Sequence, residues 1–397
     1  MSDEERSPPP AKRRLPGAVI ALGMTSFFTD LGSDMIFPLL PVLLMQLHAS
    51  ATFLGLIEGL ADAVASAFKL VSGELADRAS KRKPIVLAGY SIAAIVRPLM
   101  AFATAPWHVL VIRVSDRVGK GIRSAPRDVI IATAALPGQE GRAFGFHRAM
   151  DHAGAVVGPI VATALLAAGV ELRTVFLVAI VPGVLSVLCV LAVREPPAPL
   201  PSEGAPRARS TRRMPTSLRT YLLVLAVFAL GNSSDAFLLL RARDLGVPVA
   251  LIPMLWMVLH VSKLVSSYIG GGWADRVPRR RLVVIGWAVY ALTYLALGLA
   301  TEAWHAWALF VVYGAYYGLT EPAEKALVKE LAPDELRGRA YGFYNFIGGA
   351  MAVPAGLLTG WVWDAVSPLA ALSIGAALAA LAAVLLIALR PSEVSAS

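Results

Sequence analysis

The sequence predicts an all-α membrane protein of twelve transmembrane helices, arranged as two parallel six-helix halves around a central cavity. Three observations lead to this prediction: an apolar composition, a succession of long apolar segments, and an internal repeat. Of the 397 residues, 57% are hydrophobic and only 16% are charged, whereas an ordinary soluble chain is about 45–50% apolar and about 25% charged. A single soluble core is excluded, because the long apolar stretches are too many to bury in one globule.

Twelve segments satisfy the length that a membrane-spanning helix needs, which is about 20 mostly apolar residues. They are 17–46, 52–76, 84–104, 107–126, 143–167, 173–193, 219–240, 250–270, 282–300, 304–327, 340–361 and 367–389. The connections are short except for 194–218, which is rich in proline, serine and arginine and is predicted to be a flexible cytoplasmic linker. The predicted units are a basic N-terminal segment (1–16), two six-helix halves (17–193 and 219–390), the linker between them, and a C-terminal tail (391–397).

Lysine and arginine mark the cytoplasmic side of a membrane protein when they lie in short connections. The N-terminal segment, the linker and the connections after the second, eighth and tenth spans are basic, whereas the opposite connections carry few cations. Both termini are therefore predicted to be cytoplasmic. The first sixteen residues lack a small-residue cleavage site, so no removable signal peptide is expected. This topology explains the formal charge of +9 without a nucleic-acid partner.

The two halves repeat one another at an offset of about 197 residues. ATAPWH at 103–108 recurs as ATEAWH at 300–305, GRAFGF at 141–146 as GRAYGF at 338–343, and GELADR at 73–78 as GGWADR at 271–276. Each copy contains six predicted spans, so the copies have the same orientation. Parallel halves around a site near the middle of the bilayer are a known transporter architecture.

With these motifs the chain resembles the major facilitator superfamily over residues 17–389. The segment GELADRASKRK at 73–83 is similar to the signature loop of the family between its second and third helices, although Ser80 stands where the family usually has glycine. Arg113 resembles the helix-four arginine of the family. Two stretches, GLIEGLADAVASAFKLVSGELADR and DRVGKGIRSAPRD, resemble a little-characterised prokaryotic subgroup. The resemblance implies a transporter in the plasma (inner) membrane of a prokaryote.

The resemblance also implies gating residues. Asp77 is expected to pair across the interface of the halves, together with the neighbouring cations and the repeated loop; this set is Asp77, Arg78, Arg82, Asp275 and Arg276. A carboxylate at a helix N-terminus or among arginines gains charge-assisted bonds that can break when the halves rock. Gly154, Gly158 and Pro159 resemble a fifth-helix antiporter motif, but Ala162 and Thr163 replace a glycine pair, which weakens the implication of export.

The fourth predicted span is unusually charged. Arg113, Arg117 and Lys120 stand at i, i+4 and i+7 and form one stripe of the helix. With Asp116 and Arg123 the span carries five ionised groups. Facing lipid, they would cost on the order of 12–18 kcal/mol in total, since each central charge costs about 2.5–3.5 kcal/mol. The stripe must therefore face water, carboxylates or ligand. Two alternatives stay open: residues 113–142 form a cytoplasmic loop, or the stripe forms internal ion pairs.

The repeat predicts that charges line one wall of the cavity and hydroxylated aromatic rings line the other. At the offset of 197, Arg97 corresponds to Tyr294, Asp116 to Tyr313 and Lys120 to Tyr317. Such walls suit a solute with carboxylate or phosphate groups and an apolar body. The candidate substrate-binding residues are Arg97, Arg113, Arg117, Lys120, Tyr313 and Tyr317. Helix packing is the alternative for the tyrosines.

Two pairs of carboxylates are candidates for ion coupling. Asp30 and Asp34, and Glu58 and Asp62, are i,i+4 pairs on single helix faces. Two close carboxylates in a low-dielectric interior do not both ionise easily, so proton exchange is the default hypothesis for coupling. Lys69 could instead neutralise the second pair, and the histidines 147, 152 and 260 also titrate in a useful range.

The sequence therefore predicts a proton-coupled secondary active transporter of a small anionic or amphipathic solute, with a lean to export by antiport. The alternatives are an importer of an organic anion or carboxylate siderophore, and a non-transporting receptor or scaffold. HExxH, GxSxG and clustered Cys/His motifs are absent, and the single cysteine, Cys189, excludes a disulfide framework. We expect no enzyme activity, no metal site and no cofactor. The expected partners are the solute, the coupling ion and the lipid bilayer, and the expected state is a monomer.

Overall fold

The computed structural model describes residues 15–136, 139–195, 214–274 and 277–388. These residues form helices joined by short connections and contain no strand, which confirms the predicted all-α class. We number twelve successive helical rods in chain order. They are α1 (Gly17–Gln46), α2 (Ala51–Arg78), α3 (Lys83–Phe102), α4 (Pro106–Ala134), α5 (Glu140–Ala167), α6 (Leu172–Ala192), α7 (Thr216–Asp244), α8 (Ile252–Ala274), α9 (Arg279–Leu299), α10 (Ala303–Leu331), α11 (Arg337–Ala365) and α12 (Pro368–Ala388).

Nine rods within the described ranges are both long and apolar enough to cross a membrane. The other three, α2, α4 and α10, have 28 or 29 residues and therefore the length, but they carry more charge. A charged helix can cross a bilayer only where its polar face is covered by protein or lines a water-filled cavity. The count of twelve spans stays a prediction for these three helices.

Two rods that lie at equivalent places of the halves are interrupted in their middle. In α1, a 3₁₀ turn covers Phe37–Leu39, as expected where Pro38 removes a helical hydrogen bond. In α7 the helix stops at Gly231 and resumes at Ala236. The residues between them, Asn232 to Asp235, are all polar, and interrupted helices of this kind mark binding sites in transporters.

The halves pack on each other mainly through α2 against α11 and α5 against α8. Gly55 of α2 and Gly356 of α11 lie back to back with no room for a Cβ at either position, which lets the two backbones approach closely. This contact lies toward the end of the molecule that carries the α1–α2 and α11–α12 connections, which we call the outer end. The other end carries the α2–α3 and α4–α5 connections, and we call it the basic end.

Candidate functional site

A cavity of about 530 Å³ lies between the two halves. Helices α1, α2, α4 and α5 line it from the first half, and α7, α8, α10 and α11 line it from the second half. A further cavity, of about 820 Å³, continues toward the basic end along α2, α4 and α11. Both cavities are bordered by Asp30, Lys120, Arg148 and Asp151. The predicted central cavity is therefore present, and its lining is polar.

Two arginines of the predicted substrate set are already engaged inside the first half. Arg113 forms a two-bonded ion pair with Glu58, with Nε–Oε1 and Nη2–Oε2 distances of 2.7 and 2.9 Å. Arg97 donates from Nε to Asp116 at 2.8 Å and from Nη1 to the Thr29 carbonyl at 2.6 Å. All four charged side chains are buried. For Arg113 this geometry follows the internal-pairing alternative that stayed open for the stripe. Arg97, which the sequence predicted only as a substrate-binding residue, is paired as well, and neither guanidinium is free for a solute in this conformation.

The cations that face the cavity are Arg117, Lys120 and Arg148. The Nε of Arg117 is buried without a hydrogen-bond partner, and its distance to the Asp62 carboxylate is 4.0 Å. The ammonium group of Lys120 and the guanidinium of Arg148 border the cavity, and neither group forms a hydrogen bond or ion pair with another residue that the structure describes. The sequence predicted Arg117 and Lys120 but missed Arg148. The pattern that could have indicated Arg148 is its place in the fifth predicted span, where this charged residue lies one helical turn before Asp151.

Carboxylates lie beside these cations. The side of the cavity that the first half forms, which we call the first wall, therefore carries charges of both signs. Asp30, Asp34, Glu58 and Asp62 all border the central cavity, as does Asp151 of α5. Asp151 accepts a hydrogen bond from the Ser26 hydroxyl and lies 3.8 Å from His147 Nδ1. A cavity with both signs of charge can hold an anionic group without excluding a cationic one.

Asp34 of α1 contacts the opposite half. Its Oδ1 accepts a hydrogen bond from the Trp256 indole N–H at 2.9 Å and lies 3.9 Å from His260 Nε2. The His260 nitrogen is buried and has no hydrogen-bond partner among the described residues. Asp34 therefore connects the two halves at the wall of the central cavity.

The side of the cavity that the second half forms, which we call the second wall, is centred on Asp235 at the interruption of α7. Tyr313 donates to its Oδ1 at 2.8 Å, Tyr317 lies 3.1 Å from both oxygens, and Lys263 Nζ lies 3.2 Å from Oδ2. Tyr317 borders the cavity, whereas Tyr313 is fully buried behind it. The sequence predicted both tyrosines but not Asp235, because the interruption of α7 contains no proline to reveal it.

The predicted gating residues are only partly described. The side chains of Asp77 and Arg78 and both residues Asp275 and Arg276 lie outside the described residues. Arg82 donates from Nε to the Ala76 carbonyl at 3.0 Å, within the α2–α3 region. Their role in gating stays a prediction.

The glycines of the fifth-helix motif lie at a helix contact within the first half. Gly154 and Gly158 face the α1 backbone at Phe27 and Leu31 so closely that neither site has room for a Cβ. Pro159 follows them inside α5. Close packing of α1 on α5 explains these small residues, and a role in gating is an additional hypothesis that this contact does not test.

The outer end is held by a contact between the halves that the sequence did not predict. Asp364, near the end of α11, accepts hydrogen bonds from the first backbone N–H groups of α2. The distances are 2.9 Å from Ala51 N to Oδ1, 2.8 Å from Thr52 N to Oδ2, and 2.6 Å from the Thr52 hydroxyl to Oδ2. We call this contact the Asp364 cap. A carboxylate here satisfies unpaired N–H groups of the first helical turn and complements the helix dipole.

Two helical halves around a shared polar cavity, with helices interrupted at its wall, define a polytopic membrane transporter. The comparisons with known proteins agree. The sequence profile of the Major Facilitator Superfamily matches residues 22–354 and 220–397, and the chain belongs to this family.

Similar proteins come from archaea and bacteria. The chain is 30% identical over 382 residues to an uncharacterised MFS-type transporter of Methanocaldococcus jannaschii, a match that covers 94% of this chain and 95% of the relative. It is 26% identical to the multidrug resistance protein MdtH of Salmonella newport, over 84% of this chain and 83% of that protein. Among solved structures, the nucleoside transporter NupG superposes with a TM-score of 0.74 at 14% identity, over 94% of this chain and 98% of NupG. This last likeness supports the fold alone.

Proposed function

We propose that the chain is a proton-coupled secondary active transporter that binds a small anionic or amphipathic solute in the cavity between its halves. The observation that carries the proposal is the arrangement of Arg117, Lys120 and Arg148 at that cavity, where their charges are incompletely paired. A site of this size is typical for small-molecule ligands, which occupy pockets of about 300–1,000 Å³. Arg97 and Arg113 then support the wall, because they hold α3 and α2 to α4 through buried ion pairs.

Alternating access is supported by the difference between the two ends. The outer end is closed by the Gly55–Gly356 contact and the Asp364 cap, whereas the larger cavity extends toward the basic end. The distribution of lysine and arginine favours the basic end as the cytoplasmic one, with both termini there and the chain in the inner membrane. A solute then enters from the cytoplasm, and the similarity to a multidrug resistance protein agrees with export.

Asp34 is the residue that we assign first to proton coupling. It borders the cavity and contacts Trp256 and His260 of the other half, so a proton on its carboxylate would weaken an attraction between the halves. Asp30 and Asp62 border the same cavity and are further candidates. Glu58 is the weakest candidate of the predicted four, because both of its oxygens are bound by Arg113.

The test is transport by the purified protein in proteoliposomes. Radiolabelled benzoate, phenyl phosphate, citrate and a panel of amphipathic drugs are offered with an imposed pH gradient of either direction, in the wild type and in Lys120→Gln. We expect saturable, gradient-dependent movement of at least one compound and a loss of at least tenfold in Lys120→Gln. Lys325→Gln is the matched control, because Lys325 pairs with Glu321 and does not border either cavity.

Three outcomes of this experiment separate the alternatives. Accumulation driven against the proposed direction would make the protein an importer of an organic anion. Transport that ignores the pH gradient would remove proton coupling. Absence of saturable transport for every compound, with a folded protein, would favour a receptor or scaffold.

A further inference from the structure

The ammonium group of Lys263 lies in a site built from one carboxylate and two aromatic rings. Its Nζ lies 3.2 Å from Asp235 Oδ2, 3.6 Å from the centroid of the Tyr317 ring and 5.5 Å from the centroid of the Trp256 ring. Ring faces near a cation attract it through their quadrupole, and such arrangements are used to recognise ammonium ligands. We call Asp235, Trp256 and Tyr317 the ammonium cage.

All three cage residues border the central cavity. The cage is also held in place from behind: Tyr313 and Tyr317 both donate to Asp235, and the Trp256 indole N–H donates to Asp34. The rings and the carboxylate are therefore fixed before any ligand arrives. A preorganised site of this chemistry binds a primary amine or a quaternary ammonium group, whether the group is tethered to the chain or belongs to a solute.

We propose that the ammonium cage is an amine-binding subsite of the transport cavity, and that Lys263 is its tethered occupant, which an amine-bearing solute displaces. This inference rests on the proposed function and deepens it, because it assigns the solute to a chemical class: compounds that carry a protonated amine or quaternary ammonium together with an acidic group. The amine takes the place of Lys263 on the second wall. The acidic group faces Lys120 and Arg148 on the first wall.

Exchange at this site conserves charge. A solute ammonium that replaces the ammonium of Lys263 leaves Asp235 with one cation, so no buried carboxylate becomes unpaired. Removal of Arg113 from Glu58 would instead leave a buried charge without a partner, which is strongly unfavourable. The two kinds of ion pair therefore differ in whether a solute can exchange with them.

A displaced Lys263 side chain can move along α8 toward a second carboxylate, that of Asp34. Trp256, His260 and Lys263 stand at i, i+4 and i+7 of α8 and so share one face of the helix. Asp34 contacts the first two of these residues. A lysine side chain carries a compact charge on a flexible four-carbon stem. The ammonium group of a displaced Lys263 can therefore turn along this face toward Asp34.

The experiment measures cation binding to the purified protein without any ion gradient. Choline chloride and propylammonium chloride are the probes, sodium propionate is the anion control, and sodium chloride keeps the ionic strength constant. The readouts are tryptophan fluorescence and thermal shift. We expect Lys263→Ala to bind choline saturably and at least tenfold more tightly than the wild type, because the tethered competitor is gone. Asp235→Asn or Tyr317→Leu in the Lys263→Ala background should abolish that gain, and Lys325→Ala should behave as the wild type.

A second measurement uses the wild type and does not depend on folding of a variant. Acetylation of Lys263 by an amine-reactive ester is followed by mass spectrometry, with and without saturating propylammonium. We expect acetylation to be at least threefold faster with the cation, because the amine leaves the cage. Failure of both cations to bind the folded Lys263→Ala protein, or binding unchanged by Asp235→Asn, would overturn the inference; so would an unchanged acetylation rate in the wild type.

These outcomes are distinguishable from failure of the proposed function. Cation binding is an equilibrium property of the cavity and is measured without transport. Anion transport without cation binding would reject the amine subsite alone, whereas cation binding without transport in proteoliposomes would reject the transporter proposal and retain the subsite.

Discussion

The Asp364 cap gives a quantitative prediction about the closure of the outer end. Asp364→Ala removes three hydrogen bonds that join α11 to the first turn of α2. These bonds cross between the halves, so they stabilise only the conformation in which the outer end is closed. The change therefore shifts the equilibrium between closed and open states rather than the folding of α2, whose own N-cap, Ser50, accepts a hydrogen bond from Phe53 N.

The size of the shift follows from the environment of the cap. Loss of a capping side chain costs about 0.5–2 kcal/mol, and the charge at the helix N-terminus adds about 0.3–1 kcal/mol when exposed. Asp364 is exposed, so water replaces part of the lost interaction and we take about 1–2 kcal/mol as the net effect. This corresponds to an increase of about 5- to 30-fold in the ratio of open to closed molecules.

Distances between spin labels across the outer end measure this ratio. Labels are attached at Gln46→Cys and Val366→Cys, both exposed, after replacement of the single native cysteine, Cys189, by serine. We expect a second, longer distance to gain population in Asp364→Ala, with a smaller gain in Asp364→Asn, which keeps one acceptor oxygen. Asp244→Ala is the control at the same end, because Asp244 forms no hydrogen bond to α2 within the described residues. A distance distribution identical to that of the wild type would refute the cap as a gate contact.

Three further predictions concern the cavity and its support. Arg113→Ala should lower stability by about 3–5 kcal/mol, because it leaves Glu58 buried without its partner; thermal unfolding should show this loss, and partial recovery in Arg113→Gln/Glu58→Gln tests the pairing. Gly356→Leu should separate α2 from α11, because the Gly55 backbone leaves no room for a Cβ; the same spin labels should report an open outer end, and an unchanged closed distance would contradict the packing argument. Asp34→Asn should abolish accumulation driven by a pH gradient while solute exchange continues in proteoliposomes, and unchanged accumulation would move the assignment to Asp30 or Asp62.

The sequence predicted the fold well because the signals for the fold are local or periodic. Apolar length indicates the helices, and the offset of 197 residues identifies two equivalent halves without any knowledge of contacts. The cost of charges in a bilayer also excluded a lipid-facing Arg113, and the structure gives this residue a buried partner. These arguments depend on composition and spacing alone.

The sequence could not show which charged residues form internal ion pairs and which face the cavity, because this depends on contacts between distant segments. Arg113 and Arg117 lie one turn apart on the same stripe, yet one is bound by Glu58 and the other lies 4.0 Å from Asp62 at the cavity. Which carboxylate lies beside each arginine depends on how α4 packs against α2, and the spacing of residues along α4 does not contain that information. Asp235 was missed for a related reason, because its position depends on the interruption of α7. The corresponding interruption of α1 contains Pro38, which can be read from the sequence, whereas the interruption of α7 contains no proline.

The placement of strong and weak contacts is what an alternating-access protein requires. The ion pairs of Arg113 with Glu58 and of Arg97 with Asp116 are buried and lie within the first half, where they hold helices together through every conformational change. Two polar contacts between the halves are different in kind: the exposed Asp364 cap and the cavity-facing contacts of Asp34. Water or a solute can replace these partners, so the halves can separate at either contact without exposing an unpaired buried charge. This arrangement gives a rigid first half that is joined to the second by replaceable contacts. We therefore expect the halves to move as units.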